Sequence, residues 1–296
     1  MSKDHVLYII LAGIVIVNGL FAYRFFRDYA RHREEAKKEP GNPIYIAIST
    51  FIIYFLSTFG VSDYAISTAF YRATKWVDDK KLPGTLNTQC VLPVAVMALA
   101  YINTIEVDIL TLVLCIVSQT LGSYILPRFV VKFPIKIIRR VIGFGLLGAT
   151  VLILLGKFKL FPIGGELTGL TGVKLWVTVA LFAVFGAMNT IGIGSYPVTM
   201  LTVYAMGLNP IIAFPIMMGA CTFSVPVGSM EYVRLGQYGR KITLISSIVG
   251  IFGVLLAVFV VKSMDISMLQ WLVAFILVYS GSTMLYKEYF SKEKQS

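Results

Sequence analysis

The chain has 296 residues, of which 57% are apolar and only 14% charged, with a formal net charge of +11 and a mean hydropathy of +0.80. A soluble domain carries about a quarter charged residues, so this composition excludes a water-soluble globular fold. The positive charge sits in short loops between apolar runs rather than on one basic face, which argues against a nucleic-acid partner.

Apolar runs occupy 6–25, 44–70, 84–102, 107–126, 140–156, 173–204, 210–230, 241–261 and 268–286. A run of about 20 residues crosses a hydrocarbon core about 30 Å thick. The first, VLYIILAGIVIVNGLFAYRF, is too long for a signal-peptide core and has no small-residue cleavage site, so it reads as a retained span. Seven runs have ordinary span length. The runs 44–70 and 173–204 are too long, and each is interrupted in its middle by glycine and polar residues. The charged connector REEAKKEPGNP and the crossover GKFKLFPIGGELTGLTG carry no chemistry. Cys90, Cys115 and Cys221 all lie in apolar runs and read as small buried side chains rather than a disulfide framework.

Charge decides between two threadings. If all nine runs cross, the better orientation puts 15 of the 26 Lys and Arg inside. If 44–70 and 173–204 are instead re-entrant hairpins, 21 of the 26 fall inside. The positive-inside bias favours the hairpins. The expected fold is therefore an all-α polytopic membrane protein, with seven crossing helices plus two re-entrant helical hairpins arranged as inverted repeats. The parts are an N-terminal span and inner loop (1–43), a first repeat (44–156), an outer crossover (157–172), a second, inverted repeat (173–286) and a cytoplasmic tail (287–296). The N-terminus is expected outside and the C-terminus in the cytoplasm of a cell-membrane protein. GVSDYAIS (Gly60 to Ser67) echoes GIGSYPVT (Gly192 to Thr199), and inverted repeats are a known architecture of secondary transporters.

The two interruptions carry the candidate site. In NTIGIGSYPVT, Gly192, Gly194 and Pro197 each weaken a continuous helix. Irregular backbone at membrane depth is tolerated only against protein or a water-filled cavity. A second limb starting near Ser195 offers free N–H donors and the positive end of a helix dipole, which suit an anion. In TFGVSDY, Ser62 or Asp63 caps the opposite limb. Asn189, Thr190, Gly192, Gly194, Ser195 and Tyr196, with Ser62 and Tyr64, are the substrate-binding candidates at the tips. Asn87, Thr88 and Gln89, and Cys221 with Thr222, supply neutral polar groups on the crossing helices that follow; the plain alternative for each is an interhelical hydrogen bond. Asp63 reads either as a proton-coupling or gating group or as a cap. Arg72 is the basic residue nearest the hairpin mouth and the second gating candidate.

Catalysis has no support. His5 and His32 lie near the N-terminus and in the first inner loop, so neither a Ser–His pair nor a histidine metal site can be built. No P-loop is present, no cofactor is implied, and the chain is not expected to be an enzyme.

FGAMNTIGIGSYP, FGVSDYA, GLNPIIAFP and EYVRLGQYGRK together resemble the sulfite exporter TauE/SafE family of membrane transporters, over about residues 44–286. That resemblance implies transport of small sulfur oxyanions and organosulfonates, such as sulfite or sulfoacetate, driven by a gradient of protons or another coupling ion. The chain departs from the family pattern where the first glycine-rich turn becomes GVSD. The expectation is a secondary transporter of a small anion working by alternating access. An uncoupled anion channel, a different oxyanion or carboxylate as substrate, and a homodimeric state stay open.

Overall fold

The computed structural model describes residues 3–102, 105–125 and 166–262, with single helical positions within 140–154 and 268–286. Among these residues the fold is helical, apart from one isolated bridge between Leu167 and Leu208. The helices are α1 (Lys3–Arg31), α2 (Arg33–Lys38), α3 (Pro43–Thr58), α4 (Asp63–Thr74), α5 (Leu82–Ile102), α6 (Ile109–Ile125), α7 (Gly172–Thr190), α8 (Tyr196–Ala205), α9 (Ala213–Leu235) and α10 (Arg240–Lys262). Five of them, α1, α5, α7, α9 and α10, are long and apolar enough to cross a membrane, and α3 and α6 are shorter apolar helices. These helices are compatible with a multi-pass membrane protein. The expected spans 140–156 and 268–286, the loop 127–139, the first part of the crossover and the tail 287–296 lie outside the described residues, single positions excepted.

Both over-long apolar runs are broken where glycine stands in them. The first becomes α3 and α4, the second α7 and α8. Each break begins with the same backbone hydrogen bonds. Gly60 N–H donates to the Ser57 carbonyl and Val61 N–H to the Leu56 carbonyl; Gly192 N–H donates to the Asn189 carbonyl and Ile193 N–H to the Met188 carbonyl. Gly60 (φ +95°) and Gly192 (φ +85°) are left-handed, as the residue after a helix end is when it closes with this bond pair. A side chain there would be strained, so glycine is what lets both helices stop at these points.

The packing of the helices is exchanged between the two parts of the chain. Helix α3 lies along α10 and α7 along α6; α5 packs on α10 and α9 on α6; α5 and α9 pack on each other. Swapping α3, α5 and α6 for α7, α9 and α10 leaves this set of pairs unchanged. Small residues permit the close approaches. A methyl group at Gly122 would collide with the Ala183 carbonyl and one at Gly186 with the Gln119 carbonyl, while Gly253 and Gly250 play the same part against Phe51 and Tyr54.

The first span is more than an extension of this arrangement. Helix α1 packs on α9 and α5, and buried Asn18 donates to the Thr222 hydroxyl (2.9 Å) and carbonyl (3.1 Å). At the other end of α1, Asp28 accepts from Arg240 Nε (2.7 Å) and the Tyr238 hydroxyl (2.6 Å). Glu39, just past α2, takes the N–H groups of Arg240 (3.1 Å) and Lys241 (2.7 Å) on its carboxylate. A side chain 200 residues away in sequence thus caps α10, satisfying donors that have no partner inside the helix.

Candidate functional site between two helix breaks

The two breaks face each other. A methyl group on Gly194 would fall 2.7 Å from Ser62 Oγ and 3.2 Å from Tyr64 Cβ, so the turn before α8 rests directly on the first turn of α4. Asn87, on α5, ties both together. Its Oδ1 accepts from the Tyr64 hydroxyl (3.1 Å), and its Nδ2 donates to the Asn189 carbonyl (3.1 Å) and to the Pro83 carbonyl of its own helix (2.9 Å).

The start of each second limb is built differently. Ser62 is the N-cap of α4, its Oγ accepting from Ala65 N–H at 3.3 Å. That settles which of the two capping candidates performs the task. Asp63 then occupies the first turn, with the backbone N–H groups of Asp63 and Tyr64 facing its carboxylate. At α8 no carboxylate stands in the equivalent position. Ser195 precedes the helix and makes no side-chain cap bond. Instead Asn189 reaches back across the break: its Oδ1 accepts from Ser195 N–H (2.8 Å) and its Nδ2 donates to Ser195 Oγ (3.0 Å). Pro197 lacks an N–H, and the first bond inside α8 runs from Thr199 N–H to the Ser195 carbonyl (2.9 Å). The opening turn of α8 is therefore left with donors, where α4 has its own carboxylate.

Around Ser195 is a shell of neutral groups. Cys221 Sγ on α9 is approached by Gln119 Nε2 (3.4 Å), Asn189 Nδ2 (3.5 Å) and Ser195 Oγ (3.4 Å). Gln119 Nε2 also donates to Ser224 Oγ (3.1 Å). All five residues are buried, and Gln119 Oε1 has no hydrogen-bond partner. The buried charged side chains among the described residues are Asp63 and Arg240, and Arg240 is held by Asp28 far along the chain from either break. The shell is thus made of neutral amide, hydroxyl and thiol groups, with no full positive charge among them.

The remaining candidates separate. Thr88 is joined to the Thr243 hydroxyl (2.8 Å), Gln89 to the Ser67 (2.9 Å) and Tyr71 (2.5 Å) hydroxyls, and Thr222 to Asn18. Each of these bonds joins two helices. Thr190 donates to the Ser123 and Gly186 carbonyls. Arg72 is exposed and 3.5 Å from Asp79, apart from the buried cluster. Tyr196 opens α8 with its hydroxyl buried and unpartnered. Ser224, two residues past Thr222 in the same polar stretch, and Gln119, between Ser118 and Thr120 on α6, also belong to the shell; Gln119 is the one that the sequence alone does not single out. Among the described residues no group of three or more His, Cys, Asp or Glu could hold a metal.

No protein-family model, curated protein or solved structure matches the chain. The site is therefore interpreted from its own geometry.

Proposed function

We propose that the protein is a secondary transporter of a small anion, with α3–α4 and α7–α8 acting as two hairpins that enter the bilayer from opposite faces. The observation that carries this reading is the juxtaposition of the α4 and α8 openings across Gly194, Ser62 and Tyr64, beside the neutral shell of Asn189, Ser195, Cys221 and Gln119. Half-helix openings meeting inside a membrane protein are the usual place for a transporter's substrate, and helix N-termini suit negative charge. The exchanged packing, which builds the same arrangement twice around the two breaks, supports alternating access about a shared site. The resemblance of FGAMNTIGIGSYP and its partner motifs to the TauE/SafE family directs the substrate choice to sulfite or an organosulfonate such as sulfoacetate, moved by an ion gradient. In this reading the N-terminus is outside and the C-terminus in the cytoplasm of the cell membrane.

Purified protein in proteoliposomes is assayed for flux of sulfite, sulfoacetate, taurine and sulfate under imposed ion gradients. Saturable, gradient-driven flux of a sulfur oxyanion or sulfonate is expected. Absence of flux and of binding for every anion tried would end the proposal.

A further inference from the structure

The described residues hold nine buried side-chain oxygen atoms without a hydrogen-bond partner. Five of them belong to the two breaks: Tyr54 OH and Ser57 Oγ at the end of α3, Asp63 Oδ2 at the start of α4, and Tyr196 OH and Thr199 Oγ1 at the start of α8, with Ser57 and Tyr196 facing each other just beyond a well-formed bond. Tyr54 and Ser57 are three residues apart, as are Tyr196 and Thr199, so each pair shares one helix face. Asp63 lies within electrostatic reach of Tyr54 and Tyr196. Buried oxygen atoms are nearly always paired, so such a concentration at one place marks a group that changes partners.

The titratable groups facing Asp63 are Tyr54 from α3, Tyr64 and Tyr71 from α4, Cys90 from α5, Tyr196 from α8 and Cys221 from α9. Phenols and thiols are ordinarily uncharged at neutral pH. No Lys, Arg or His is among them, so among the described residues an ionised Asp63 has no counter-charge. An anion at the opening of α8 would then face the Asp63 carboxylate on the opposite break, with only neutral groups between two negative charges. Like charges sharing a low-dielectric site disfavour each other's ionised forms.

We infer that Asp63 takes up a proton when the anion binds beside Ser195, so that anion and proton occupy the site together. The inference rests on the proposed anion site and identifies its coupling ion. The protonated carboxyl gains an O–H donor where the ionised form can only accept, and Asp63 Oδ2 has no partner of either kind in the structure. One carboxylate gives one proton per anion. Affinity for a non-titrating anion should therefore rise about tenfold per unit fall in pH wherever free Asp63 is ionised.

The probe is methanesulfonate, whose own charge does not change in the working range. Calorimetric titration of the detergent-purified full chain, in two buffers of different ionisation enthalpy, reads protons taken up per anion. Wild type is expected to take up one; Asp63→Asn is expected to bind with pH-independent affinity and no uptake. Where Asp63→Asn does not fold, Tyr196→Phe serves, and its proton uptake should shift along the pH axis. Separately, infrared difference spectra of protein carrying labelled aspartate should show a buried carboxylic-acid band that appears on acidification without any anion. A titrating band without anion binding upholds the proton site and overturns the anion reading. Anion binding with no proton uptake and no band overturns the inference and leaves the anion reading standing. Binding that depends on sodium and not on pH likewise overturns it.

Discussion

The contact between the two breaks can be tested by filling it. Gly194 is not in the left-handed region, so alanine suits its backbone and any penalty comes from the methyl group. That methyl would lie 2.7 Å from Ser62 Oγ, whereas ordinary contact begins at 3.4 Å, and 3.2 Å from Tyr64 Cβ. Relief requires Ser62 Oγ to turn away from Ala65 N–H, which it now caps at 3.3 Å. Loss of that cap costs about 1 kcal/mol, and residual crowding against Tyr64 about 1 kcal/mol more. Gly194→Ala alone should thus destabilise by about 2 kcal/mol. Ser62→Gly costs only a few tenths, because glycine is itself a tolerable cap, about 0.3 kcal/mol. In that background the methyl meets Tyr64 alone and should cost about 1 kcal/mol. The two substitutions are expected to couple by about 1 kcal/mol, read from equilibrium unfolding in mixed micelles across the four-member cycle. Distant sites add within about 0.5 kcal/mol. Additivity at that level would refute the claim that the breaks touch.

Gly122→Ala should cost about 3 kcal/mol or more, or prevent folding, because the methyl meets the Ala183 carbonyl backbone; Gly19→Ala, with nothing within 4 Å, should be neutral or stabilising, and folded yield compares the two. Glu39→Ala should cost about 1–2 kcal/mol and speed amide exchange at Arg240 and Lys241, whose N–H groups it now accepts, without affecting the middle of α10. Cys221→Ala should change stability little, since Gln119 keeps Ser224 and Asn189 keeps Ser195. Its anion affinity should nevertheless fall about fivefold, the equivalent of one hydrogen bond of about 1 kcal/mol, in the same calorimetric titration.

What the sequence made visible were the places where local chemistry contradicts its surroundings. Glycine, serine and aspartate inside apolar runs located both breaks, and a second limb starting near Ser195 agrees with α8 beginning at Tyr196. The same local rules narrow the α4 cap to Ser62 or Asp63, and the structure assigns it to Ser62. What stayed hidden depends on partners far along the chain. That Gln89, Thr88 and Thr222 join helices is visible only when Tyr71, Thr243 and Asn18 are found against them. Gln119, in the run Ser118–Gln119–Thr120, is tied to Cys221 and Ser224 only once α6 and α9 come together. Glu39 resembles any charge in a solvated loop, and nothing local in it announces that it caps a helix beginning 201 residues later. Periodicity and turn chemistry are local properties, whereas which of two polar groups is consumed by helix joining is a property of the assembled fold.

The exchanged packing also constrains how a transport cycle could run. Helix α3 leads into the first break but lies along α10, and α7 leads into the second but lies along α6. A rigid rotation of the two parts, each carrying its own hairpin, would slide both of those contacts at once. Both are close, with Gly122 and Gly186 allowing α6 and α7 to approach backbone to backbone, and Gly253 bringing α10 against the Phe51 carbonyl. Interfaces packed this closely resist shear, because any displacement drives a carbonyl into a neighbouring Cα. The contacts at the breaks themselves are made instead by single side chains, Asn87, Asn189 and Ser62. It follows that α3 moves with α10 and α7 with α6, and that the moving bodies of the proposed cycle are drawn from both parts of the sequence. Cross-linking α3 to α10 through a cysteine pair near Phe51 and Gly253 should then leave transport intact, while cross-linking α4 to α8 near Ser62 and Gly194 should stop it. The reverse pattern would mean that the sequence repeats themselves are the rigid units.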